Sequence, residues 1–277
     1  MRKKFLRWLK GALVGVMSVL LGLTISTAEV SAEQAAAEQY RQMFWSGNFY
    51  VEYQTYQNFK DPVWGGNHQI KDNHIFAGRD GNRVVKHNAK SKLPEALYQG
   101  GKYYLFINQL KGLECRVLNE SDLSSPNLNP SEGWADVRNK LSLPDEFAVF
   151  YWDDPFRAEN VKTSAPYFNG SSTRTVDNKE YDCDQYIVDI KSLAGTTIAQ
   201  WAYNMLYENG NIVQIQKYFL RDGKEALINA MVVKTITKDV PDTAFALKKK
   251  IKVYAADKGT MSDLIAQPVL VEEIGGK

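Results

Sequence analysis

The chain has 277 residues, with 34 Lys and Arg against 32 Asp and Glu, and aromatic residues make up 12% of it. Residues 1–32 hold five of those bases (Arg2, Lys3, Lys4, Arg7 and Lys10) and one acid, Glu29, so the remainder carries 29 bases against 31 acids. That near-neutral remainder has no basic stripe for a nucleic acid, and it has no second apolar run long enough to span a membrane.

The N-terminal stretch follows the order of a secretory signal peptide. A basic head precedes the uncharged run Gly11–Leu23, and Val30-Ser31-Ala32 offers a small-residue cleavage site before Glu33. The core is shorter than the ~20 apolar residues of a spanning helix. An uncleaved anchor is the alternative, with Ala28 as a second cleavage position. No Cys follows the site, which argues against a lipid-tethered form. The expected mature chain, 33–277, is one domain exported to a periplasm or the exterior.

Residues 33–45 are predicted to be helical, because Ala35, Ala36, Ala37, Tyr40, Met43 and Phe44 recur at helical spacing. Phe49–Tyr56 then opens a series of β-rich runs around short turns. The turns fall at Asp80-Gly81, Gly100-Gly101, Asp177-Asn178, Asn209-Gly210 and Asp222-Gly223. These pairs suit two-residue hairpins, whose central positions need positive φ. Between the second and third of these turns, Asn129-Pro130-Ser131-Glu132 reads as a helix start, with Trp134, Val137 and Leu141 on one face and Pro144 as the stop. Strands joined by tight turns are antiparallel neighbours. The predicted fold is therefore α+β: a large curved antiparallel sheet, a half-barrel meander, with a few covering helices.

No catalytic residue, metal ligand or cofactor motif emerges. His68, His74 and His87 lack metal-site spacing and fit solvated positions better. Asp153-Asp154 precede Pro155 and read as a turn, since adjacent strand residues point to opposite faces and cannot flank one substrate. Cys115 and Cys183 could close a bridge in an oxidising compartment or remain two unpaired thiols. Their acidic neighbours Glu114, Asp182 and Asp184 suggest partial exposure. The aromatic rows carry more information. Phe49, Val51 and Tyr53 share one strand face, as do Trp201, Tyr203 and Met205, and Val213, Ile215 and Phe219 form a third row. Such rows either fill a core or line an incompletely covered concave sheet that takes an apolar ligand.

The stretches YDCDQYIVDI (181–190), MLYENGNIVQIQKYF (205–219) and MVVKTITKDVPDTAFALKKKIKVY (231–254) resemble the periplasmic lipoprotein-carrier superfamily, the LolA/LolB-like half-barrels. Asp239-Val240-Pro241-Asp242 and Phe245 match the closing element of that family. LYQGGKYYLF (97–106) resembles its earlier hairpin, with Gly100 in place of Asp. The resemblance implies an eleven-stranded type of half-barrel closed by helices, whose cavity accepts acyl chains. The expectation is an envelope protein that binds a lipid or an acylated protein on Phe49, Val51, Tyr53, Trp201, Tyr203 and Met205, without covalent catalysis and without a cofactor. An envelope protein partner is also expected. The alternative is a sensor or protein-interaction module whose core is filled by its own side chains.

Overall fold

The computed structural model describes residues 32–60, 67–89, 93–109, 112–123, 137, 140–147, 149–150, 163–256 and 268–276. The export segment, Trp134 and the Asp153-Asp154 pair lie outside them. The helix α1 (Ala32–Trp45) leads into a sheet of thirteen strands. Six come first: β1 (Phe49–Lys60), β2 (Asn67–Arg79), β3 (Arg83–Asn88), β4 (Ala96–Gln99), β5 (Lys102–Gln109) and β6 (Gly112–Asn119). Five more follow: β7 (Tyr167–Val176), β8 (Lys179–Lys191), β9 (Thr197–Glu208), β10 (Asn211–Arg221) and β11 (Lys224–Thr237). A closing pair, β12 (Ile251–Ala255) and β13 (Leu270–Ile274), ends the chain.

The order across the sheet is β13-β12-β6-β5-β4-β3-β2-β1-β11-β10-β9-β8-β7. The expected single meander is thus two meanders, β1–β6 and β7–β11, joined where β1 pairs antiparallel with β11. One strand departs from the antiparallel rule. β12 lies parallel to β6, because residues 238–250 cross a face of the sheet before the chain re-enters it. All five predicted turns form. At Asp177-Asn178 both central φ values are positive, 49° and 63°, and at Asn209-Gly210 they are 51° and 75°, as the right-handed twist of the flanking strands requires.

The face that carries α1, here the inner face, is filled by one apolar cluster. Ala37, Tyr40 and Phe44 sit on one side of α1 and meet Phe49, Val51 and Tyr53 of β1, Phe76 of β2, Leu105 of β5, and Met205 and Ile215 of the second meander. Phe44 packs edge-on to Phe49 at 5.3 Å and beside Phe147 at 5.5 Å. The Tyr40 hydroxyl accepts the Ile212 N–H at 3.2 Å, tying α1 to β10. Val137 and Leu141, both helical, are fully buried in the same cluster, and the helix ends before Pro144. The 3₁₀ turn Asp145–Phe147 then inserts Phe147. Eight strand positions separate β6 from β9, roughly 38 Å in a flat sheet at ~4.8 Å per strand. One cluster reaching from Leu118 to Met205 therefore matches a curved sheet wrapped around its helices.

The outer face of β1–β6 has a second core. The segment after β11 lays Ala244, Leu247, Ile251 and Val253 over Ala77, Val85, Leu97, Tyr104, Cys115 and Val117. Arg79 latches it by donating to the Asp242 carboxylate and to the Val240 carbonyl, and the Arg83 guanidinium lies 4.6 Å over the Phe245 ring.

Candidate functional site

The six expected ligand residues fall into two groups. Phe49, Val51, Tyr53 and Met205 belong to the inner core, at 6%, 0%, 1% and 0% exposure. Their faces are already covered. Phe49 stacks on Phe76 at 5.2 Å, and Tyr53 packs edge-on to Phe147 at 6.2 Å and beside His74 at 5.3 Å.

Trp201, half-buried, and Tyr203, buried at 3% exposure, lie beside that core, on the inner face of the second meander. Register explains why they gain aromatic neighbours. Tyr203 faces Tyr186 of β8 and Lys217 of β10, while Trp201 faces Val188 and Phe219. Phe168 of β7 faces Tyr186 in turn. These side chains form one floor: Phe168 packs edge-on to Tyr186 at 5.6 Å, and Trp201 lies 5.0 Å from Phe219. The Lys217 ammonium sits 4.4 Å from the Trp201 ring centre and 5.7 Å from that of Tyr203, so the floor holds a buried cation on aromatic faces. Trp201 and Phe219 are half-buried and Phe168 is 40% exposed, so the floor opens toward β7.

Polar groups border the floor. Asp184, fully buried, accepts the Ser171 hydroxyl at 2.6 Å. Asn229 of β11, opposite Lys217, donates its amide to the buried Glu146 carboxylate at 2.7 Å. Burial, and then the charge of Asp184, push the Tyr186 phenol up to about 12, so it is neutral at physiological pH. Sequence reasoning found Trp201, Tyr203 and Phe219 by period-2 alternation. Phe168, Tyr186 and Lys217 were missed, because they join the site through cross-strand register, which no single strand displays.

Of the two readings of the cysteines, a bridge or two unpaired thiols, the structure has the unpaired one, and the expected partial exposure of the two thiols is corrected. Cys115 and Cys183 are free and buried at 0% and 1%, and eight strands lie between β6 and β8 in the sheet order. Cys115 points into the outer core, and Asp184, which suggested exposure for its neighbour, is itself buried. The histidines also differ from the expected solvated state. His74 and His87 are half-buried in β2 and β3, and burial lowers the pKa of both. The side chain of His68 lies outside the described residues. Among the described residues, no group of three or more His, Cys, Asp or Glu is placed to hold a metal ion, and no helix is long and apolar enough to cross a membrane.

No protein-family model matches the chain, and no curated protein matches it. Solved structures do. A LolA superfamily protein from Nitrosomonas europaea aligns over 77% of this chain and 97% of its own, with 10% identity and a TM-score of 0.33. An outer membrane lipoprotein-sorting protein domain from Vibrio parahaemolyticus has the same identity and coverage, with a TM-score of 0.32. A DUF1329 family protein from Desulfovibrio piger aligns over 78% of this chain and 96% of its own, with 14% identity and a TM-score of 0.23. The chain is thus similar to LolA superfamily structures.

Proposed function

We propose that this chain is an exported envelope protein, periplasmic or secreted, that binds an apolar ligand on the aromatic floor of its second meander. The ligand would be a lipid or the acyl chain of an acylated protein, held without covalent chemistry. The observation that carries this reading is the contrast on one face of the sheet. Phe49, Val51, Tyr53 and Met205 are packed over, while Trp201, Phe219 and Phe168 of the adjoining floor keep exposed area. An acyl chain laid along those rings would gain about 0.8 kcal/mol per methylene buried. The packed core would form the wall against which it stops.

The burial of five of the six expected residues, all but Trp201, favours a second reading, in which the sheet is filled and the protein serves as an envelope sensor or interaction module. Titration with a fluorescent fatty-acyl probe separates the two. On the first reading, Trp201→Asp and Phe168→Ser each weaken binding at least about tenfold, while Thr197→Asp, on an exposed residue of the same strand, leaves it unchanged. Phe168→Ser guards against misfolding, because that ring is already 40% exposed. No probe binding by the wild type, with no lipid co-purifying in native mass spectrometry, establishes the second reading.

A further inference from the structure

The closing ribbon β12–β13 and the loop before it carry two features that the ligand floor does not use. The first is charge. Lys248, Lys249, Lys250 and Lys252 fall within five residues and are all exposed. No Asp or Glu occurs between Thr243 and Ala256. Leu247 and Ile251, at 9% and 6% exposure, are buried in the outer core on either side of the three consecutive lysines. The Leu247 carbonyl also accepts the Gly276 N–H at 2.9 Å. The lysines are thus presented by a pinned loop. Among the described residues, their one ion pair is Lys250 with Glu273 at 3.9 Å, between two exposed side chains, and it is worth little in water.

The second feature is apolar. Val269, Leu270 and Val271 are consecutive and 66%, 50% and 50% exposed, at the outermost strand of the sheet order. Leu270 pairs with Tyr254, two residues along β12 from Lys252. Ile251 and Val253 point into the outer core, so Lys252 and Tyr254 share the opposite face of β12. Lys252 and the exposed Leu270 therefore stand roughly 7 Å apart along the ribbon, at ~3.3 Å per residue, and Lys248, Lys249 and Lys250 continue the basic row toward its other end.

We infer that this ribbon docks the protein on an anionic phospholipid bilayer, with the lysines at the headgroups and Val269–Val271 inserted at the acyl boundary. Charge complementarity selects this occupant: among the described residues of 243–256 and 268–276, four exposed lysines stand against one exposed acid, Glu273, since Glu272 is engaged by Lys102 and Tyr104. Neither feature suffices alone, since stable peripheral binding takes a basic patch together with an apolar anchor. The surface is separate from the aromatic floor, and its test reads a different event.

Protein purified in its exported form is sedimented with phosphatidylcholine vesicles that contain or lack phosphatidylglycerol. Binding is expected only to the anionic vesicles, and it should weaken as salt rises. Each lysine near such a surface is worth roughly fivefold in partitioning. Lys248→Gln, Lys249→Gln and Lys250→Gln together should weaken binding on the order of a hundredfold, with unchanged melting and unchanged acyl-probe binding. Leu270→Asn should weaken it roughly tenfold through the lost anchor. Equal binding to both vesicle types, or an unaltered triple variant, overturns the proposal. A dimer through β13 in the absence of vesicles also overturns it, by giving the exposed edge another occupant.

Discussion

The two meanders of one sheet are built to different rules. β1–β6 is apolar on both faces: Tyr103 and Leu105 point inward and Tyr104 outward, all buried, and Val84 and Val85 divide the same way. α1 covers the inner side and the segment 238–253 covers the outer side. β8–β10 instead carry polar side chains outward. Gln185 donates to Asn204 at 2.9 Å, Gln200 donates to Asp189 at 2.8 Å, and Tyr218 donates to Gln216 at 3.1 Å. Of the inward aromatics of those strands, Tyr203 and Tyr207 are buried, while Tyr186, Trp201 and Phe219 are only partly covered. A strand buried on both faces contributes rigidity, whereas a strand covered on one side leaves area for a ligand. The first half therefore supplies the scaffold and the second supplies the surface.

The largest effect expected from this division is a difference in stability between two aromatic truncations. Phe76 is 1% exposed and stacks on Phe49, so Phe76→Ala should cost about 3–5 kcal/mol. Gly78 shows how tight that region is: a Cβ there would lie 2.4 Å from the Phe49 ring. Trp201 is half-buried and rests on Phe219 and Lys217, so Trp201→Ala should cost no more than about 2 kcal/mol despite the larger side chain. Urea unfolding of both variants measures the gap. Equal losses would place Trp201 in the core and remove the distinction between the halves.

Local chemistry made the strands and turns legible, while long-range geometry hid the join between the halves. Asn209-Gly210 and Asp177-Asn178 announce their hairpins because few residues accept positive φ, and Ala37, Tyr40 and Phe44 announce a helix by spacing alone. Nothing local shows that β1 pairs with β11, or that β12 returns parallel beside β6. The candidate site was half legible for the same reason. Alternation within β9 gave Trp201 and Tyr203 but could not tell that Met205, on the same face, is sealed under the inner core. Acidic neighbours misled the reading of Cys183, because Asp184 is buried and accepts the Ser171 hydroxyl.

The two free thiols report on the halves separately. Burial, and then Glu272, push Cys115 up to about 12. Burial also leads for Cys183, opposed by Arg174 and reinforced by Asp184, for a value of about 11. Neither should react with a thiol reagent in the closed fold at neutral pH, and denatured protein should release two thiols with or without reductant. Native labelling then follows local opening. Cys183 lies under polar outer-face neighbours and Cys115 under the outer core, so Cys183 should label faster, roughly tenfold or more. The variants Cys115→Ser and Cys183→Ser assign the two rates. Faster labelling of Cys115 would mean that the outer cover is the looser part of the molecule.

The smallest effect expected is a pH-dependent loosening of that cover. The hydrogen bond from Arg79, and then its charge, hold the Asp242 carboxyl below its ordinary 3.8. A group whose folded pKa is depressed stabilises the fold fully above its unfolded value and loses that contribution as pH falls through the folded one. Wild-type protein should therefore melt slightly above Asp242→Asn at pH 6, with the gap closing as pH falls below the ordinary carboxylate range. Asp242 is exposed, so 1 M salt should shrink the gap as well. The same variant sharpens the comparison of the halves. The latch holds only the segment over β1–β6, so Asp242→Asn at pH 6 should speed labelling of Cys115 and leave Cys183 unchanged. If both thiols respond alike, the two halves open as one cooperative unit, and the division between scaffold and surface does not extend to their dynamics.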